Sequence, residues 1–326
     1  MPPRVYRGRY GFEFHPKSGG SKTLCKLDAT EAQVWTAYRK TVSQGVRDVS
    51  WLANEYLSSP NYLRLKPNTQ RTYEECWKKL RPVFGHVDAI NVKHHHIRRY
   101  MDERGKISES RANKEKRFFS NVFAYGFERG LVQFNPCDGV KQFLEKPRDR
   151  YVTDEEYYAF LKAAPPIVQI FMELSYITAS RGQDVRKIAL NDITEDGLYV
   201  EQLKTGKKQM NSWNERVQAV VKKAREIRAE RLAIHKVESM YLIVTESGGP
   251  YTDSGLLSMW RRARETYFEE TGIKINWTFH DLKAKAISDF KGDKQKFSGH
   301  KTRSMMERYN RTADIVDAID FSQKEE

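Results

Sequence analysis

Apolar residues recur at intervals of three and four in one segment after another of this 326-residue chain, which confines it to a mainly helical fold. S-W-L-A-N-E-Y-L sets Trp51, Leu52, Tyr56 and Leu57 on one face. In P-N-T-Q-R-T-Y-E-E-C-W-K-K-L-R-P-V-F-G the stripe is Tyr73, Cys76, Trp77 and Leu80; Asn68 or Thr69 is expected to cap that helix and Gly85 to end it. In S-R-A-N-K-E-K-R-F-F-S-N-V-F-A-Y-G-F-E-R-G-L it is Phe118, Phe119, Val122, Phe123 and Phe127, with Gly130 as the C-cap. Ile167, Ile170, Phe171, Leu174 and Ile177 keep the same register in a fourth segment. Strand-like alternation is confined to two places. R-V-Y-R-G-R-Y-G-F-E-F-H-P-K-S-G-G-S-K-T-L-C-K-L reads as a small N-terminal three-stranded sheet, and D-G-L-Y-V-E-Q-L-K-T-G-K-K-Q-M as a β-hairpin.

The length suits two or three domains. After the first sheet, Ala29 or Thr30 can start a helix with Ala32, Val34, Trp35 and Tyr38 available for packing. The charged, Pro-containing stretch E-K-P-R-D-R at 145–150 reads as a linker. The expected units are therefore 1–41 (small sheet plus helix), 42–146 (a helical bundle) and 147–326 (a mixed, mainly helical α+β domain). The formal charge is +14, and residues 1–40 hold eight Lys/Arg against three Asp/Glu. Such an excess favours a polyanionic partner, most often nucleic acid, through steering and counterion release. Arg4, Arg7 and Arg9 in the first unit, and Arg111, Lys114, Lys116 and Arg117 opposite the Phe stripe, are the residues that can track a phosphate backbone. Cys25, Cys76 and Cys137 are scattered, without a CxxC, which suits a reducing compartment rather than a disulfide framework. No apolar run approaches the roughly 20 residues of a membrane span, and M-P-P-R-V-Y-R-G-R lacks the core of a signal peptide. A soluble, cytoplasmic protein without a membrane partner is expected.

Four places in the last unit could carry chemistry. In I-T-A-S-R-G-Q-D-V-R-K-I, Arg181 ends an apolar helix where its fork could meet a phosphate, and Asp184 could orient it; on these residues alone an ordinary Arg–Asp pair is the simpler reading. Lys204 lies beside the hairpin turn T-G, where it could enter a DNA groove or give a proton, although Lys207 and Lys208 compete for that role. W-T-F-H-D-L-K-A-K-A brings His280 and Lys283 to one helix face. S-G-H-K-T-R-S-M-M-E-R-Y places Tyr309 nine residues after His300, on a short helix over 302–309. The triplet His94-His95-His96 could suggest zinc, but adjacent helical histidines cannot all face one ion and the cysteines do not complete a tetrahedron; no metal and no cofactor is expected.

Taken in order, Arg…Lys…His-x-x-Lys…Gly-His…Tyr resembles the tyrosine recombinase (phage integrase) family, whose set runs Arg, Lys, His-x-x-Arg, His/Trp, Tyr. L-K-P-N-T-Q-R-T-Y-E and A-N-K-E…F-A-Y-G-F-E-R-G-L-V…N-P look like its helical core-binding domain, and P-P-R-V-Y-R-G-R-Y-G-F-E-F like the arm-binding domain of lambda-type integrases. The likeness covers nearly the whole chain and departs at one catalytic position, where Lys283 stands for the second arginine; Lys285 is out of register to replace it.

The resemblance implies a site-specific recombinase that cuts and rejoins double-stranded DNA at core and arm sequences, as a homotetramer, with host DNA-bending or excision factors as accessory partners. Tyr309 would attack the phosphodiester and store its energy as a 3′-phosphotyrosine. Arg181, Lys283 and His300 would stabilise the phosphorane, His280 would assist proton transfer from Tyr309, and Lys204 would protonate the leaving 5′-oxygen. Asp184 would act one step removed, on Arg181. Beyond Tyr309, Ile315, Val316 and Ile319 would line one side of a tail helix that packs on its own domain or, as the resemblance suggests, docks on a neighbouring protomer. Two other readings share these residues: a type IB topoisomerase-like nicking-closing enzyme, and a DNA-binding regulator with a degenerate site, which Lys283 alone supports.

Overall fold

In the computed structural model, which describes residues 1–16, 20–43, 47–146 and 148–312, three short strands open the chain. β1 (Val5–Arg7), β2 (Phe12–Phe14) and β3 (Lys22–Cys25) form an antiparallel sheet in sequential order, with Val5 opposite Phe14. Helix α1 (Glu31–Ser43) follows, started by Thr30, whose hydroxyl accepts from the Gln33 N–H. Val34 is the buried one among its described side chains; Trp35 and Tyr38 are half-buried and Ala32 is exposed, so the expected packing face is narrower by one position. The chain divides into two compact units, Met1–Lys146 and Pro147–Glu326.

The rest of the first unit is helical: α2 (Val49–Leu57), α3 (Pro60–Leu63), α4 (Pro67–Phe84), α5 (His94–Gly105) and α6 (Glu109–Glu128). Asp48 caps α2 by accepting from the Trp51 N–H at 2.7 Å, and Ser108 caps α6. Helix α4 starts earlier than the sequence suggests. Pro67 occupies its first turn, where a missing N–H costs nothing, so Asn68 and Thr69 lie inside the helix rather than capping it. The stripe of α6 is buried at Phe118, Phe119, Val122 and Phe123, but Phe127 is 56% exposed. The stripe ends a turn before the sequence pattern does, because α6 stops at Glu128 and the chain reverses through Gly130 at φ +64°. In the histidine triplet, His94 Nδ1–H donates to Pro136 O at 3.0 Å and His96 Nδ1 accepts from the Lys93 N–H at 3.1 Å. Two of the three rings are therefore engaged with backbone at the start of α5.

The second unit comprises α7 (Asp154–Ala163), α8 (Pro166–Ile177), α9 (Gly182–Val185), the hairpin β4 (Gly197–Gln202) and β5 (Lys207–Ser212), α10 (Glu215–His235), α11 (Asp253–Thr271), α12 (Asp281–Asp289), α13 (Lys294–Ser298) and α14 (Arg303–Glu307). Apolar almost all round, α8 runs through the middle, touching α7, α9, α10, α11 and α12. Thr153 and Glu156 form a capping box at the start of α7. Phe160 of α7 meets Trp260, Tyr267 and Trp277 edge-on at centroid distances of 5.0–5.6 Å. It is wholly buried. Phe160→Ala should therefore cost about 3–5 kcal/mol, read as a fall in the urea midpoint with an unchanged slope. No helix among the described residues is long and apolar enough to cross a membrane.

Candidate active site

Five of the six residues picked out by the sequence are linked around Tyr309 by contacts or by the charge they exert on one another, and Lys204 acts on His300 from the hairpin tip. Helix α14 ends at Glu307, so Tyr309 sits in the turn just after it rather than within a helix. Its ring is half-buried and packs beside Ala179, Ala286, Ile287 and Met306. Its hydroxyl lies 3.3 Å from His280 Nε2, and its ring centroid is 4.8 Å from that of His300. The following residues are tethered. Ser288 Oγ donates to Tyr309 O and accepts from the Arg311 N–H, while the buried Arg311 guanidinium donates to Asp281 Oδ1 at 2.8 Å and to Arg150 O. Asp281 is the residue after His280, so the histidine and the tyrosine are held to one framework.

His280 stands immediately before α12, and Lys283 lies within its first turn. Lys283 is 1% exposed, and its Nζ donates to Ser298 O at 3.1 Å. Lys285 points elsewhere: it pairs with Asp154 and Asp289 at 2.5 and 2.9 Å under the rings of Tyr151 and Tyr176. Arg181 precedes α9, with Nη1 donating to Gln202 Oε1 at 3.4 Å. Asp184 accepts from the backbone N–H groups of Arg181 and Leu203 at 3.2 and 2.9 Å. Its hydrogen bonds thus fix the main chain that carries Arg181 and the start of the hairpin loop, rather than gripping the guanidinium. His300 follows Gly299, whose φ is +68° and where a Cβ would meet Gln202 Nε2 at 2.5 Å. Only glycine allows the His300 turn to approach the hairpin this closely.

Lys283 and His300 are buried, and cations crowd around them. Burial, then the Arg181 charge, pushes Lys283 down to about 7, with Asp184 opposing. Burial, then Lys283, Arg181 and Lys204, pushes His300 down to about 4. His280 is exposed, yet desolvation of its ring and then Arg181 hold it below the ordinary histidine value. His300 Nε2 is buried without a hydrogen-bond partner among the described residues. Mutually repelling cations and an unpaired ring nitrogen are the arrangement an anion relieves.

Residues 150–315 match the phage integrase family, a little over half of the chain. This chain belongs to the phage integrase family. Among curated relatives, the integrase of Escherichia phage HK022 is 25% identical over 207 residues, covering 58% of this chain and 54% of its own. The integrase of Enterobacteria phage P21 is 26% identical over 194 residues, covering 54% and 50%. The chain thus spans about half the length of the curated relatives it matches. Among solved structures, a lambda integrase dimer bound to a COC′ core site superposes with a TM-score of 0.71 at 18% identity over 98% of both chains. The Tn1549 transposon integrase in complex with a circular intermediate DNA gives 0.64 at 17% identity over 82% of this chain and 96% of that one. At these identities the likeness is one of fold.

In this integrase-family chain the candidate backbone-tracking residues Arg4, Arg7, Arg9, Arg111, Lys114 and Arg117 are all exposed, and Lys116 is half-buried. The tail residues Ile315, Val316 and Ile319 lie outside the described residues. Two residues that the sequence reading passed over join the site, Gln202 and Ser298. Gln202 could have been found: Leu198, Val200 and Gln202 share the inward face of β4, and a polar residue continuing an apolar alternation points to a buried polar contact. Ser298 gave no such signal.

Proposed function

We propose that this chain is a site-specific DNA recombinase of the integrase type, cutting and rejoining double-stranded DNA through a 3′-phosphotyrosine. The observation that carries the reading is the Tyr309 hydroxyl 3.3 Å from His280 Nε2, with the Tyr309 ring against His300, which lies in the field of Arg181 and Lys283. Tyr309 Oη forms the bond to phosphorus as the bond to the 5′-oxygen breaks. Neutral His280 takes the phenolic proton, and Lys204 gives a proton to the departing 5′-oxygen. Arg181, Lys283 and His300 hold the charge that builds on the phosphoryl oxygens. Rejoining reverses the step with another strand's 5′-hydroxyl, so the phosphoester energy is kept and no nucleotide is consumed.

The exposed basic residues of the first unit suit the duplex backbone, with 1–41 reading an arm sequence and 42–146 the core site. A tetramer on paired sites is the working assembly, in keeping with the lambda integrase tetramer bound to a Holliday junction, which shares the fold at a TM-score of 0.71. The bacterial cytoplasm is the compartment in which such a protein would act.

A nicked duplex carrying the core site, from which the cut fragment diffuses away, tests this reading. The wild-type chain should accumulate an SDS-resistant protein–DNA adduct. Retarded DNA without any adduct would replace the recombinase with a DNA-binding regulator. Relaxation of supercoiled DNA lacking any core site, at the rate seen with the site present, would replace it with a nicking-closing enzyme.

A further inference from the structure

One residue outside the expected set touches two of its members directly and a third through Gln202. Ser298, wholly buried at the end of α13, uses its two polar groups in different directions. Its carbonyl accepts from Lys283 Nζ at 3.1 Å and from Gln202 Nε2 at 3.0 Å. Gln202 in turn accepts from Arg181 through Oε1, and its amide also donates to Gln209 Oε1 at 2.7 Å. The Ser298 hydroxyl lies 2.8 Å from His300 Nδ1. Lys283, Arg181 and His300 thus come from three separate segments and meet through one serine.

The hydroxyl can also donate to Gln295 O at 3.2 Å, and its one proton serves either that carbonyl or Nδ1; the carbonyl already accepts from the Gly299 N–H at 3.1 Å. Nδ1 is nearer and has no other hydrogen-bond partner among the described residues. A hydroxyl that donates to Nδ1 leaves the neutral ring protonated at Nε2, the nitrogen that is buried and unpartnered. An Nε2–H in that place is a donor kept for an incoming ligand. A bare Nε2 lone pair there would instead meet a phosphoryl oxygen as one acceptor meeting another.

We propose that Ser298 is a positioning residue for DNA cleavage: its hydroxyl fixes His300 as the Nε2–H donor to the scissile phosphate, while its carbonyl sets Lys283 and, through Gln202, Arg181. The inference rests on the recombinase reading and adds to it a requirement on a neutral imidazole. The charged and titratable groups facing that ring are Lys283 from α12, Arg181 from the start of α9, Lys204 from the hairpin and Tyr309. None of them supplies a hydrogen bond to Nδ1 among the described residues.

Ser298→Ala keeps the carbonyl and removes only the hydroxyl; Ser298→Thr restores it. Two measurements on the full-length chain test the proposal. In single-turnover adduct formation on the nicked core-site duplex, Ser298→Ala should be about tenfold slower at pH 8. Its affinity for that duplex should stay within about twofold, and Ser298→Thr should recover most of the rate. The deficit should shrink as pH falls toward 5.5, because the bound phosphate raises His300 from its value of about 4 in the free protein, and an imidazolium carries a proton on Nε2 whatever the serine does. A deficit of equal size at every pH, or one matched by lost affinity, would make Ser298 merely structural and overturn the proposal.

The second measurement needs no activity. The ¹⁵N shifts of the His300 ring in the free protein should show the Nε2–H tautomer in wild type and a mixture in Ser298→Ala. An Nδ1–H tautomer in wild type, or one indifferent to the substitution, refutes the proposal even if cleavage proceeds. Wild type with the expected tautomer but no adduct would instead count against the recombinase reading alone.

Discussion

Tyr309→Phe is expected to abolish the covalent adduct on a nicked core-site duplex while leaving affinity for that duplex within about twofold of wild type. Deleting a covalent nucleophile costs on the order of 10⁵–10⁶ in rate, which places any residual adduct below detection. The substitution suits the site because it removes one atom. The ring body of Tyr309 packs beside Ala179, Ala286, Ile287 and Met306, and phenylalanine keeps that packing. The tether that follows, Arg311 to Asp281 and Ser288 to the backbone at 309 and 311, does not involve the hydroxyl. What is lost is the oxygen 3.3 Å from His280 Nε2. SDS gels after a timed incubation, beside a mobility-shift titration of the same duplex, give both quantities. A persistent adduct would move the nucleophile to another residue. Equal loss of adduct and of binding would mean that the phenol holds DNA rather than attacking it.

The helices were legible because amphipathic spacing is a local property: Leu52, Cys76, Trp77, Leu80, Phe118, Phe119, Val122 and Phe123 are buried as their register requires. Errors came where ends are decided by more than spacing. Phe127 keeps the register but falls where α6 gives way to the Gly130 reversal, and Pro67 starts α4 before the polar residues that resemble caps. For the site, the order of Arg181, Lys204, His280, Lys283, His300 and Tyr309 along the chain was readable, because each stands beside a turn or helix end that sequence marks. The connections between them were not. Ser298 O joins Lys283 to Gln202 over 15 and 96 residues, and Arg311 reaches Asp281 over 30. Contacts at such separations leave no periodic trace. The reach of Asp184 to two backbone N–H groups was hidden for the same reason: a sequence suggests charge pairs more readily than hydrogen bonds to main chain.

Lys283→Met should make the enzyme worse and the free protein more stable, and the opposite signs are what identify the residue's role. Lys283 is 1% exposed and faces Arg181, so burial and that charge bring it from an ordinary value near 10.5 to about 7. Between those two values the unfolded chain holds a proton that the folded chain has released. Stability therefore rises with pH across that window, and the full cost of the buried charge is present below pH 7. Methionine fills a similar volume without the charge. At pH 6 Lys283→Met should exceed wild type by a few kcal/mol, a difference that closes as pH approaches 10.5, and thermal melts at several pH values read this directly. On DNA the sign reverses. The scissile phosphate restores the charged form of Lys283, so binding should take up close to one proton per site near pH 8.5, seen as a buffer-dependent heat. Adduct formation by Lys283→Met should fall by about 10²–10³, the size expected for one preorganised group on a developing oxyanion. Lys283→Arg, charged at every accessible pH, should abolish the proton uptake while keeping far more activity than methionine. A methionine variant that is both slower and less stable at pH 6 would show Lys283 to be a packing residue. One that cleaves at the wild-type rate would assign the phosphate to Arg181 and His300 alone.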